Sequence, residues 1–208
     1  MAEEGSALGL AGGLLKAAAF AGRAHGKQTR KGDGTPYVNH PIQVAEFLTE
    51  IAGITDLAIL QAALLHDVVE DTSVTLADIR AAFGDQVAGY VQEVSDDKSC
   101  TRHERKAAEI EHARTASRGA KLIKLADKLH NLRSVQGTPP ASWDQHRAHA
   151  YFGFASEILE ACRGTNAALE AAFEHELSQD ISVQGSAPSP GLRSDYVAGD
   201  WRKHTPDA

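Results

Sequence analysis

Leu64-Leu65-His66-Asp67-Val68-Val69-Glu70-Asp71-Thr72 closes an apolar helical run that begins near Ile54. A helix turns about 100° per residue, so His66, Asp67, Glu70 and Asp71 fall within an arc of roughly 140°. Leu64, Leu65, Val68 and Val69 are left for packing. One face therefore carries an imidazole and three carboxylates. Carboxylates this close raise one another's pKa values unless something positive sits among them. A divalent cation resolves the conflict: adjacent His and Asp supply mixed N/O ligands, and a carboxylate one turn later is placed to polarise water.

Outward from this stretch the pattern is helical throughout. Leu10, Leu14, Ala17, Ala21 and Ala24 recur at helical spacing within Ala7 to Lys27. Gly12-Gly13 is no phosphate loop, because no strand precedes it and no Gly-Lys-Ser/Thr follows. The segment Arg30 to Tyr37 reads as a loop by its glycines and proline. Pro41 at a first helical position then puts His40 at the cap of a helix running to about Ile51. Thr75-Leu76-Ala77-Asp78 reads as a capping box for a short helix to Phe83. Helices over 86–95 and 103–114 follow, the second a charged run expected to be solvated on most sides. Ala120 to Val135 is the second informative helix. Leu122, Leu125, Ala126, Leu129 and Leu132 form its buried stripe, and Asp127 sits beside it, where an unpaired carboxylate is costly. A box-like start at Ser142 opens a helix to about Cys162, and a last helix ends near Leu177.

These readings predict one all-α domain, a helical bundle over residues 7–177, between a flexible 1–6 and a disordered tail over 178–208. In the tail Gly, Ser, Pro and Asp dominate, with Tyr196 and Trp201 as the only anchors. A chain of 208 residues, 42% hydrophobic but only 6% aromatic, suits packed helices. Its net charge of −7 argues against a duplex nucleic-acid partner. Glu3, Glu4 and Lys16 break up the N-terminal apolar stretch, so neither a signal peptide nor a membrane span is expected, and the protein reads as soluble and cytoplasmic. Cys100 and Cys162 lack metal-type spacing and read as reduced thiols. Nothing in the pattern sets an oligomeric state.

The ordered set is more specific than any of its members. His40, then His66-Asp67, then Asp127 within Leu125-Ala126-Asp127-Lys128-Leu129-His130-Asn131-Leu132-Arg133 resembles the HD-domain metal-dependent phosphohydrolases. Together with Arg30-Lys31, Gly34-Thr35-Pro36-Tyr37 and His40-Pro41, it resembles the hydrolase domain of the RelA/SpoT proteins, most nearly their stand-alone small alarmone hydrolases, including the metazoan SpoT homologue. The resemblance implies an HD-domain bundle and one Mn²⁺ held by His40, His66, Asp67 and Asp127. Zn²⁺ and Fe²⁺ are alternatives, since no thiolate selects zinc. It also implies Glu70 and Asp71 as catalytic acids that activate the attacking water. The family removes the 3′-diphosphate of guanosine tetra- or pentaphosphate, so a small-molecule nucleotide is the implied substrate.

By the same resemblance Arg30 stacks on the purine, a use that Lys could not copy. Asn131 contacts the nucleoside, while Lys31 lies in the loop before His40, within reach of the metal's mouth. Lys98, Arg102, Arg147 and Tyr151 match positions that grip phosphates and ribose, Arg147 and Tyr151 being neighbours at i, i+4. The 2′-phosphate of NADPH is an alternative substrate. A non-catalytic nucleotide sensor is a second alternative, expected to have lost a ligand or Glu70-Asp71, and all six residues stand here. With no synthetase domain in the sequence, degradation without synthesis is the expectation. Lys121, Lys124 and Lys128 read as solvated or secondary charge. His25, His103, His112, His146 and His149 read as surface residues, and His130 is left without a role.

Overall fold

The computed structural model describes residues 2–204, with side chains from 9 to 203. The expectation of a flexible 1–6 concerns residues whose side chains lie outside that range. The same holds for the last five residues of the expected tail.

A long α1 (Ala2–His25) is followed by α2 (Asn39–Glu50), α3 (Leu57–Leu65), the single turn α4 (Val68–Asp71), α5 (Leu76–Phe83) and α6 (Asp85–Val94). Then come α7 (Arg102–Thr115), α8 (Arg118–Gly137), α9 (Gln145–Ala161) and α10 (Ala167–Ser178). The local signals explain most boundaries. Asp56 accepts the amides of Ala58 and Ile59 to cap α3, and Thr75 with Asp78 forms the expected capping box. A second box, Thr101 with Glu104, starts α7 at Arg102. The cap of α9 is Asp144, not Ser142.

The central helical run is not continuous. It breaks at His66-Asp67, where the backbone departs from regular helix before α4 resumes. That break places the His-Asp pair at a junction between helices rather than on one smooth face.

Helices α3 and α8 form the centre. α8 packs against α2, α3, α6, α9 and α10, so it is buried nearly all round. Leu122, Leu125, Leu129 and Leu132 are fully buried there, each worth about 1.5–3 kcal/mol of transfer free energy. Enclosure on several sides carries Lys124, Asp127, Lys128 and His130 inside as well. The charged α7 buries Glu109, Ile110 and Ala113 on its inner side, with its other residues partly or fully exposed.

The C-terminal stretch departs from the expectation of disorder. Asp180–Ile181 pairs antiparallel with Ser189–Pro190. A 3₁₀ turn (Asp200–His204) then seats Trp201 with no exposed surface. The bundle is therefore all-α with one minimal strand pair.

Candidate active site

Three separate segments bring four side chains together. His40 comes from the first turn of α2, His66 and Asp67 from the α3–α4 junction, and Asp127 from the middle of α8. His40 Nε2 lies 3.1 Å from Asp127 Oδ1 and 3.5 Å from Asp67 Oδ2. His66 Nε2 lies 3.1 Å from Asp67 Oδ2 and 3.8 Å from Asp127 Oδ1. The ligand atoms of His40, His66 and Asp67 all fall within 4.8 Å of one another, the spread of a metal-holding group.

The hydrogen bonds behind these residues decide which nitrogens face inward. His66 Nδ1 donates to the carbonyl of Ala63 at 2.7 Å. Its Nε2 is buried without a hydrogen-bond partner. A lone pair facing two carboxylates is repulsive unless a cation lies between them. Burial opposes charging the ring, yet Asp67 and Asp127 together hold the His66 pKa well above its ordinary value. Burial likewise opposes ionisation of both carboxyls, but His66 and His40 hold Asp67 well below the usual range, and Lys128 with the same two rings does so for Asp127. Two imidazoles and two carboxylates converging on an orphaned nitrogen fit a divalent cation. Proton and metal compete for that nitrogen, so affinity for the metal should rise with pH.

His130 supplies what the sequence left unexplained. His130 Nε2 donates to Gln43 Oε1 at 2.6 Å, which leaves Nδ1 to accept from His40 Nδ1 at 2.9 Å. Burial, with His40 and Arg30 adding, pushes the His130 pKa down to about 3, so the ring is neutral and can accept. His40 is thereby fixed in the tautomer that turns its Nε2 lone pair inward. Tyr37, three residues before His40, donates its hydroxyl to Asp67 Oδ2 at 2.5 Å and orients that carboxylate. His130→Phe keeps the volume but loses the acceptor. Divalent-cation affinity by calorimetry should fall about 10- to 100-fold in a folded protein.

Glu70 stands one turn after the His-Asp pair. Its Oε1 accepts the Asp96 amide at 2.7 Å, and burial lifts its carboxyl to about 7 against that bond. Such a value suits a group that takes a proton near neutral pH. Asp71 is placed differently: its carboxylate pairs with Lys98 at 2.6 Å and faces a wider cleft. Lys98 is thus neutralised by Asp71 and lines neither cavity.

Around these four side chains lies a cavity of about 220 Å³ that includes Glu70, Arg102, Arg105, Lys106, Lys124 and Lys128. Three lysines of this wall are held by Glu109. Lys106 Nζ and Lys128 Nζ each lie 2.8 Å from its carboxylate, and Lys124 Nζ lies 3.7 Å away. Lys128 also reaches Asp127 Oδ2 at 2.7 Å. Lys124 and Lys128 are therefore parts of the site wall, not solvated charge. No periodicity announces this, because their partner Glu109 sits on another helix.

A second cleft of about 500 Å³ adjoins the first and shares Arg30, Tyr37, Lys106, Lys128 and Asn131 with it. Of these two spaces, Lys31 and Tyr151 line the wider one alone. Asn131 Nδ2 donates to Asp127 Oδ1 at 2.7 Å, while its Oδ1 accepts from Arg30 at 3.0 Å. Arg147 stands beside the cleft with its guanidinium 5.1 Å from the Trp143 ring centre. Of the expected surface histidines, His25 is instead buried, with its Nδ1 2.9 Å from Gln28 Oε1.

Comparison with known proteins agrees with this geometry. The HD domain family model matches residues 17–156. The human guanosine-3′,5′-bis(diphosphate) 3′-pyrophosphohydrolase MESH1 is 52% identical over 167 residues, spanning 80% of this chain and 93% of that protein. The Drosophila melanogaster protein of the same name is 51% identical over 152 residues, 73% of this chain and 85% of its own. A solved structure described as a metazoan orthologue of SpoT that hydrolyses ppGpp superposes with a TM-score of 0.77 at 46% identity, covering 79% of this chain and 93% of that one. With its metal-type His/Asp cluster set in an all-helical bundle, this chain belongs to the HD-domain family, alongside the metazoan relatives of SpoT.

Proposed function

We propose that this chain hydrolyses the 3′-diphosphate of guanosine tetra- and pentaphosphate, releasing pyrophosphate and leaving GDP or GTP. The observation that carries the reading is the buried His40–His66–Asp67–Asp127 cluster opening onto a cation-lined cleft of nucleotide size. Relatives named for this activity cover four fifths of the chain at about half identity. No helix among the described residues is long and apolar enough to cross a membrane. A cytoplasmic enzyme acting on a soluble nucleotide is the reading.

His40, His66, Asp67 and Asp127 would hold the cation, with Mn²⁺ the ion we assign. When bound, it supplies Lewis-acid polarisation of a phosphoryl oxygen and acidifies a water at neutral pH. Glu70 takes the proton of the attacking water. The new bond forms to the phosphorus next to the ribose, and the bond from that phosphorus to the 3′ oxygen breaks, the departing oxygen taking up a proton to become the 3′ hydroxyl. Lys106, Lys128 and Arg102 meet the phosphate charge, since desolvated cations are worth most where charge is buried. Arg30, held by Asn131 and Ser134, offers its planar face to the purine. Tyr151 borders the ribose side of the cleft, and Lys31 its outer rim. Asp71, paired with Lys98 and facing the wider cleft, is the second catalytic acid beside Glu70.

The test is a nucleotide panel of guanosine tetraphosphate, guanosine pentaphosphate and NADPH, with Mn²⁺, Zn²⁺ or Fe²⁺ added and with chelator. We expect the guanosine nucleotides to show the highest kcat/KM, Mn²⁺ to support it best, and chelator to remove it. No pyrophosphate released from either 3′-diphosphate, or turnover that survives chelation, would reject the assignment. A higher kcat/KM on NADPH would move the substrate to the neighbouring 2′-phosphate.

A further inference from the structure

We infer that the C-terminal segment over 180–204 backs the substrate site from behind, with Trp201 positioning Arg102 and Arg147 to grip a phosphate group of the nucleotide. The inference deepens the nucleotide reading above and rests on it. Trp201 lies outside the residues matched by the HD domain family model.

The segment is fastened by specific contacts. Trp201 is fully buried, with its ring edge-on to Phe154 at 5.6 Å and beside His103 at 6.2 Å. His103 Nε2 donates to the carbonyl of Arg202 at 2.9 Å, which ties the start of α7 to the segment. The Glu157 carboxylate on α9 accepts from Tyr196 Oη at 2.5 Å and from the Gly199 amide at 2.6 Å. A side-chain carbon on Gly153 would overlap the Tyr196 ring, so α9 is cut away where the segment crosses it. These contacts hold the N-terminus of α7 against α9, the two helices that carry Arg102 and Arg147.

The arginines themselves ask for an anion. Arg102, Arg105 and Arg147 have no carboxylate partner among the described residues, and the Nε atoms of Arg105 and Arg147 are buried without a hydrogen bond. Burial pulls the Arg102 guanidinium below its usual range, and the charges of Arg147 and Arg105 add to the effect. Like charges on long side chains swing apart into water unless something prevents it. Trp201 lines one small void of about 10 Å³ with Arg102, Arg147 and Tyr151, so its ring stands against both arginines on that side. Arg102 also lines the cavity around the four ligands, so an anion gripped here belongs to a molecule reacting there. A phosphate group of a polyphosphorylated nucleotide has that chemistry, and its bidentate oxygens match planar guanidinium groups.

The experiment compares wild type, Trp201→Ala, Trp201→Phe and Tyr196→Phe in the full chain. Binding of guanosine tetraphosphate is measured by calorimetry in chelator, and kcat and KM are measured with Mn²⁺. Trp201→Ala should raise both Kd and KM about tenfold, the scale of one lost charge-assisted contact. It should leave kcat and Mn²⁺ affinity near wild type, and Trp201→Phe should recover most of the loss. Tyr196→Phe should move Kd and KM the same way by a smaller factor, and it carries the test if Trp201→Ala does not fold. Unchanged Kd and KM in a folded variant, or a fall in kcat alone, would overturn the inference. If wild-type protein binds the nucleotide without hydrolysing it, the hydrolase reading fails, while the Kd comparison still decides the role of Trp201.

Discussion

Asp67→Ala is expected to lose both the divalent cation and turnover. In the proposed ligand set, Asp67 is the residue on which the others depend. Its Oδ2 faces both His66 Nε2 and His40 Nε2 and accepts the Tyr37 hydroxyl. Without it, one carboxylate remains for two imidazoles, and Asp127 already shares its charge with Lys128 and Asn131. Metal affinity should drop by at least about 100-fold, and pyrophosphate release should fall to background. The stability readout separates this from misfolding. Mn²⁺ in excess should raise the Tm of wild type, since a ligand that binds only the native state stabilises it by mass action. The variant should fold without metal and show no such rise. A folded variant that still gains Tm with Mn²⁺ and still turns over would remove Asp67 from the ligand set.

Asp67 was legible because its neighbours in sequence carry the same signal. An imidazole and three acids crowded into Leu64–Thr72 have no account in stability alone, since acids at a helix C-terminus oppose the dipole. The helices were legible for a related reason, because periodicity and capping boxes are local. What stayed hidden depends on pairs far apart in the chain. His130 gains its role only from Gln43, 87 residues earlier. Lys124 and Lys128 look solvated until α7 brings Glu109 against them. One sign was available in α8: a helix with charges at Lys121, Lys124, Asp127 and Lys128 around a leucine stripe keeps little surface free once several helices pack on it. The C-terminal segment misled through composition. Its Gly, Ser and Pro content hides periodicity, yet order there comes from two aromatic anchors and from backbone groups seated on Glu157.

Glu70→Gln is expected to keep the metal and lose turnover, the opposite separation to Asp67→Ala. The amide can still accept the Asp96 N–H, so the local backbone is retained. What disappears is the ability to take a proton, a contribution of about 10²–10⁴ in rate. The pH dependence gives the sharper test. Burial raises the Glu70 carboxyl from 4.5 to about 7, so the acid form accumulates as pH falls through that range and kcat/KM should fall with it. A cation bound nearby draws the value down, which puts the acid limb at or below pH 7. The residual activity of Glu70→Gln should lack that limb. Stability should move the other way. A carboxyl whose folded pKa lies above its unfolded one costs the native state free energy once both forms are ionised, here about 3 kcal/mol at most in the metal-free protein. Metal-free Glu70→Gln should therefore be at least as stable as wild type at pH 8, and the advantage should vanish towards pH 4. A variant that is more stable at pH 8 yet inactive would tie the cost to the chemistry, because only a group needed as a base explains a carboxylate kept where the fold disfavours it. Full activity in Glu70→Gln, with the acid limb intact, would instead pass the proton to Asp71.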